Sequence, residues 1–189
     1  MRRLLLALAV VAALLAGGFA YVQHTQPTWW VRIRYPLAYR SEIRGYARIY
    51  HLDPALVAAV IYEESRFRPT TRSSAGAIGL MQLLPSTAEG IAIRTGGHRF
   101  RPRHDLLVPD LNIRYGCWYL HHLLLKYHRL DLALAAYNAG QANVDAWIGR
   151  APKGQPPQIP FASTRGYVRA VEHVRALYRR AYAGELGYH

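Results

Sequence analysis

The chain has 189 residues, 51% of them hydrophobic and 19% charged, with 24 Lys and Arg against 11 Asp and Glu and a single cysteine, Cys117. That length fits one domain with an appended segment, and the apolar fraction is enough to fill a core, which excludes a disordered or collagen-like chain. One cysteine excludes an internal disulfide and a cysteine-held metal centre, while the formal charge of +13 directs attention to polyanionic surroundings: nucleic acid, acidic lipid or bacterial wall polymer.

At the N-terminus Arg2 and Arg3 precede an uncharged apolar run, Leu4 to Ala16, followed by Gly17, Gly18, Phe19 and Ala20. This is the three-part build of a secretory signal. Counted on through Val22, at about 1.5 Å per residue, the run also nears the ~30 Å thickness of a bilayer core. Residues 1–22 are therefore expected to be a signal peptide or a membrane anchor, set apart from the fold. Gly18 stands where a lipid-modified bacterial protein requires Cys, so lipidation there is excluded. Loss of residues 1–20 removes Arg2 and Arg3 and no acid, and the exported part stays strongly basic. Residues 23–35, with Trp29, Trp30, Arg32 and Arg34, read as a strand-like linker. Their aromatic and cationic mix suits a membrane interface, and capping of the core by the two Trp accounts for them equally well.

From Pro36 helix signals dominate. Asp53-Pro54 predicts an N-cap with Pro at the first helical position. Another helix is expected over Asp110 to Tyr127, a further one from Asp131 to Gly140, a short piece over Asn143 to Ile148, and a closing amphipathic helix over Tyr167 to Tyr182. Pro152, Pro156, Pro157 and Pro160 make 149–160 a loop. The fold class is mostly α, a single globular domain over residues 36–182 with 183–189 as a C-terminal tail.

One carboxylate stands out. On a helical wheel that starts at Leu56 and advances about 100° per residue, Val57, Val60 and Ile61 centre an apolar face near ~70°, and Glu64 lands at ~80°, while Glu63 falls on its edge. A carboxyl buried without a cation has its ionised form disfavoured and its pKa raised, as a general acid near neutral pH requires. Taken alone, exposure past the last turn, before Phe67-Arg68-Pro69, is the ordinary fate of such a Glu. Close behind it come Gly76-Ala77-Ile78-Gly79-Leu80-Met81-Gln82, whose glycines permit close backbone approach and whose Gln82 amide offers a donor and an acceptor. Further on, Tyr137 and Asn138 precede Gly140, where core packing and a C-cap are the simple explanations.

Taken in order, Glu64-Ser65, Gly79-Leu80-Met81-Gln82, Ala136-Tyr137-Asn138-Ala139-Gly140, and Ile159-Pro160-Phe161 with Arg165-Gly166-Tyr167-Val168 resemble the catalytic domain of the soluble lytic transglycosylase (SLT) family. Phe67-Arg68-Pro69, Ser73, Asn112-Ile113 and Gly116 fit the connecting pattern. The resemblance implies a lysozyme-like α fold that cleaves the β-1,4 bond between N-acetylmuramic acid and N-acetylglucosamine in peptidoglycan, leaving 1,6-anhydro-muramic acid ends. By that analogy Glu64 is the catalytic acid and then base, and Tyr137 hydrogen-bonds and orients it. Met81 and Gln82 line the glycan groove, and Ser65, Ser73, Asn138 and Tyr167 are further substrate-binding or orienting candidates. Two positions depart from the family pattern: Ser74 stands where many relatives have Pro, and Ser163 where the final motif commonly has Glu.

The resemblance also implies peptidoglycan glycan strands as partner, a bacterial periplasmic location by export or inner-membrane anchoring, and a role open to an envelope assembly. The membrane is a partner if the N-terminal segment is uncleaved. No cofactor and no metal are expected: His98, His104, His121, His122, His128 and His173 lack a trusted ligand spacing. Nucleic acid is set aside because the arginines are spread and export removes that partner. A hydrolytic muramidase with Glu63 or Glu89 as second carboxylate, and a non-enzymatic wall-binding module of an envelope machine, stay as alternatives.

Overall fold

The computed structural model describes residues 1–96 and 100–188, so His98 lies outside the described residues. The chain divides into two compact units, Met1–Pro36 and Leu37–His189.

The first unit holds α1 (Arg2–Thr25) and α2 (Thr28–Arg34). The apolar run and its small-residue exit form one helix of 24 residues, about 36 Å long at 1.5 Å per residue. It buries none of its residues and is long and apolar enough to cross a membrane, a property that a signal sequence shares. The strand-like linker is corrected: α1 runs on to Thr25, a left-handed Gln26 stops it, and Pro27 opens α2. Alternating apolar and basic residues mimic a strand here, but a left-handed stop followed by Pro is the chemistry of two abutting helices. Within α2 the Trp29 and Trp30 rings meet edge to face at 5.9 Å.

The second unit comprises α3 (Arg40–Ile49), α4 (Pro54–Ser65), α5 (Pro85–Thr95), α6 (Pro102–Asp105), α7 (Pro109–Tyr127), α8 (Leu130–Ala139), α9 (Gln141–Arg150), α10 (Ala162–Ala181) and α11 (Ala183–Leu186). Among the described residues no strand forms, only isolated bridges that join Arg72 to Ile78 and Ile78 to Leu83. The central element is α4. Its N-cap Asp53 accepts from the Ala55 amide at 3.0 Å with Pro54 at the first position. Every residue from Ala55 to Tyr62 is buried, as a helix apolar all round requires. Helices α3 and α10 pack on it, and α8 packs on both α7 and α10. At the start of α4 the Asp53 carboxylate also takes Arg175 of α10 at 2.6 Å and the Tyr188 hydroxyl. The segment expected as a tail therefore contributes α11, packed on α3 and α10, and a contact to that cap.

Between α4 and α5 the chain makes a long turn-rich loop, entered through consecutive left-handed residues, Arg66 (φ 52) and Phe67 (φ 60). A fully buried side chain anchors it to α7. Asn112 of α7 is fully buried; its Oδ1 accepts from the Met81 amide at 2.8 Å, and its Nδ2 donates to the carbonyls of Ile78 and Leu106, each at 2.9 Å. Two glycines make room for this. Gly79 (φ +86) lies where a Cβ would overlap the Asn112 amide, and Gly116 lies where one would overlap the Met81 sulfur.

Replacement of Asn112 by Ala removes three hydrogen bonds and leaves buried backbone groups unpaired, so denaturant unfolding of the full chain is expected to show a loss of about 3 kcal/mol. A change within about 0.5 kcal/mol, the range of ordinary surface substitutions, would contradict the role given to it.

Candidate active site

The last turn of α4 presents two adjacent acids to different surroundings. Glu63 accepts from both terminal nitrogens of Arg66, at 3.2 and 3.3 Å, and Arg66 lies over the Tyr62 ring at 3.9 Å. Glu64 has no cation within ion-pair distance among the described residues. It is largely buried and accepts one hydrogen bond, from the Tyr167 hydroxyl to Oε1 at 2.7 Å. Burial pushes its carboxyl up to about 7 from an ordinary 4.5, the Tyr167 hydroxyl pulls it back in part, and the neighbouring Glu63 charge pushes it further up.

The phenol that meets Glu64 arrives from α10. That helix is fixed at its start by Arg165, whose Nη1 donates to the carbonyls of Ile159 and Pro160, both at 2.7 Å. Buried Thr164 donates to Asn138 Oδ1 at 3.0 Å, tying α10 to the end of α8. Tyr137, expected to orient Glu64 directly, instead donates to the Met81 carbonyl at 2.8 Å. The reason lies in packing: α8 brings Tyr137 against the loop that carries Met81, while α10 lies along α4. Both phenols titrate well above the ordinary tyrosine value, from burial first and then from the Glu64 charge. They stay protonated and act as hydrogen-bond donors.

The other expected site residues divide into two groups. Gln82 adopts a left-handed backbone (φ 46) and donates through Nε2 to the carbonyls of Thr71 and Gly79, at 3.1 and 2.8 Å, which leaves its carbonyl as the group for a ligand. Ser73 is exposed and accepts the Ala77 amide at 3.0 Å across the loop's turn, and Asn138 is exposed at the end of α8. Two expectations are corrected. The Met81 side chain is fully buried, packed beside Gly116, so it lines no groove; only its carbonyl reaches the site, by way of Tyr137. Ser65 is buried and donates to the Ile61 carbonyl one turn back at 3.1 Å, a bond within its own helix.

Of the candidate second carboxylates, Glu89 is exposed on α5 and Glu63 is engaged by Arg66. Among the described residues no group of three or more His, Cys, Asp and Glu is placed to hold a metal ion. Sequence reasoning missed the parts played by Thr164, Arg165 and Asn112, which hold the elements that carry the site. The signal for two of them was at hand, since a Thr-Arg pair just after Ile159-Pro160-Phe161 opens α10.

The family model for the transglycosylase SLT domain matches residues 41–158. Soluble lytic murein transglycosylases of Salmonella typhimurium and Escherichia coli are 34% and 32% identical over 152 residues, in each case 77% of this chain and 24% of that protein. The membrane-bound lytic murein transglycosylase F of Serratia proteamaculans is 31% identical over 160 residues, 76% of this chain and 30% of its own length. Among solved structures, an inactive mutant of the Pseudomonas aeruginosa lytic transglycosylase Slt superposes with a TM-score of 0.71 at 33% identity, covering 84% of this chain and 26% of that one. The 70 kDa soluble lytic transglycosylase of Escherichia coli does so at 0.73 with 31% identity, over 80% of this chain and 25% of that one. The chain thus belongs to the transglycosylase SLT domain family, and its second unit has the corresponding lysozyme-like fold. It spans about a quarter of the length of the soluble relatives it matches.

A carboxyl whose pKa is higher in the folded chain than in the unfolded one binds its proton more tightly when folded. Stability then falls as pH rises from about 4.5 through about 7. Glu64→Gln keeps the acceptor for Tyr167 and removes the charge. Relative to the parent chain it is expected to gain about 1–3 kcal/mol at pH 8 and little at pH 4.5, read by chemical unfolding at the two pH values. An equal effect at both would contradict the burial of the charge.

Proposed function

We propose that this chain cleaves the β-1,4 bond between N-acetylmuramic acid and N-acetylglucosamine in peptidoglycan and leaves 1,6-anhydro-muramic acid ends. The observation that carries this reading is the Glu64 carboxyl: largely withdrawn from water, without a cation within ion-pair distance among the described residues, pushed up to about 7, and steadied on one oxygen by Tyr167 at 2.7 Å. Such a group is half protonated near neutral pH and serves as acid and base in turn. Its proton goes to the leaving glycosidic oxygen, the bond to the anomeric carbon breaks, and the muramoyl 6-hydroxyl closes on that carbon. The resulting carboxylate takes the proton released from that hydroxyl, so Glu64 ends as it began and no water is consumed. A nucleophile tethered within the same sugar has a high effective molarity, which removes the need for a second carboxylate. The engagement of Glu63 by Arg66 and the exposure of Glu89 favour this over hydrolysis with two acids.

In this reading Tyr167 donates to one Glu64 oxygen and leaves the other to carry the moving proton. Tyr137 fixes the Met81 carbonyl and with it the loop beside the carboxyl. The Gln82 carbonyl, Ser73 and Asn138 meet hydroxyl and acetamido groups of the glycan, while Ser65 and the Met81 side chain support them from within. Residues 36–182 form the catalytic domain of a bacterial envelope protein, residues 1–22 act as its export signal or retained inner-membrane anchor, and 23–35 connect the two. The product lies on the periplasmic side, where peptidoglycan is.

Mass spectrometry of sacculi digested with the full chain is expected to find muropeptides lighter by one water than the hydrolytic products. Reducing ends would instead establish a muramidase. Glu64→Gln is expected to lower the rate by about 10²–10⁴-fold, and an unchanged rate would refute the assignment. The parent pH profile is expected to fall on the alkaline side through about 7. Since the Tyr167 hydroxyl lowers the Glu64 pKa, Tyr167→Phe is expected to reduce the rate and move that limb to higher pH. Movement to lower pH would contradict the role given to the phenol.

A further inference from the structure

At the end of α4 opposite Glu64 lies a cleft. Pro54 and Glu64 are ten residues apart on one helix, about 15 Å at 1.5 Å per residue, so the two places are separate. The cleft has a volume of about 550 Å³ and is lined by α3, the start of α4 and α11. Its floor is apolar, formed by Ala47, Leu52 and Leu186, all buried. Its rim carries Arg44 and Arg48, one turn apart on the same face of α3, both exposed.

Neither arginine has a carboxylate partner within ion-pair distance among the described residues, whereas nearby acids are engaged. Asp53 takes Arg175 at 2.6 Å and Arg179 at 3.9 Å, and Glu42 accepts the Ser41 hydroxyl at 2.7 Å. Two glycines shape the opening. Gly187 (φ +82) leaves room for Arg44, whose Nε a Cβ there would meet at 3.2 Å. Gly45 sits inside α3 between the two arginines, where glycine weakens a helix; a Cβ there would meet nothing within 4 Å, so packing does not require it. Its effect is to widen the cleft.

We infer that this cleft is a second binding site, in which Arg44 and Arg48 hold the terminal carboxylate of a short peptide whose methyl-sized side chains rest on Ala47, Leu52 and Leu186. Paired guanidinium forks match a carboxylate geometrically, and the apolar floor favours an anion attached to a small apolar body over a fully hydrated one. Within the proposed function, which this identification of the ligand's source rests on, the peptide is the carboxylate-ended stem of peptidoglycan. The chain would then grip the wall by its peptides at one end of α4 and cut its glycan at the other.

The test is calorimetric titration of the full chain in detergent with N-acetyl-alanyl-alanine, its C-terminal amide and inorganic phosphate. The free carboxylate is expected to bind, and the amide and phosphate to bind at least about tenfold more weakly. Arg44→Ala with Arg48→Ala is expected to abolish that preference without loss of cleavage of soluble glycan fragments. Gly45→Ala is expected to weaken dipeptide binding while raising the thermal midpoint, a combination that a merely structural position does not give. Equal binding of the amide, phosphate binding as tight as the peptide, or binding untouched by the double substitution would each overturn the inference. Glu64→Gln separates the two claims: it is expected to slow cleavage by about 10²–10⁴-fold and leave dipeptide binding intact. Failure to find anhydro ends would sink the reading of the Glu64 site alone.

Discussion

A carboxyl group taken out of water without a cation costs folding free energy at neutral pH, and this fold carries that cost at Glu64. The arrangement around it explains how. Helix α4 is buried along nearly its whole length and delivers the group from within the core, while Arg66, two residues on, is occupied by Glu63. Had Arg66 turned to Glu64 instead, the opposite charge would pull its pKa down and leave a carboxylate with no proton to give. Tyr167, a neutral donor, steadies the group without fixing its charge.

That local chemistry is held by contacts some distance away. Asn112 ties the glycine-bearing loop to α7 through three bonds, Tyr137 ties the same loop to α8, and Thr164 and Arg165 set the start of α10 so that Tyr167 arrives over the end of α4. At the other end, Asp53 joins the α4 cap to α10 and to Tyr188. The helix that bears the acid is thus gripped at both ends by side chains from elements far off in sequence, which favours a fixed geometry over an adaptable one.

Much of this was legible beforehand, and the failures have identifiable causes. Asp53-Pro54 announced α4 because capping is a local interaction, and the wheel put Glu64 toward the interior although it assumed one apolar face where Ala55 to Tyr62 are in fact all buried. Whether Tyr137 or Tyr167 meets Glu64 was not legible, since it depends on how α8 and α10 approach α4. Met81 and Ser65 were misread for a related reason: adjacency to a functional residue in the chain says nothing of which way a side chain turns, and both turn inward. The strand-like reading of 23–35 failed because a short alternating run obeys either period, and the helix boundary at Gln26-Pro27 decided it.

The ionisation of Glu64 can be read by a carbon-13 NMR titration of the full chain with labelled glutamate, its resonance being assigned by its absence in Glu64→Gln. Its withdrawal from water without a paired cation predicts that this carboxyl titrates near 7, apart from the other glutamates. A midpoint at the ordinary value of 4.5 would show a hydrated or ion-paired group and contradict it.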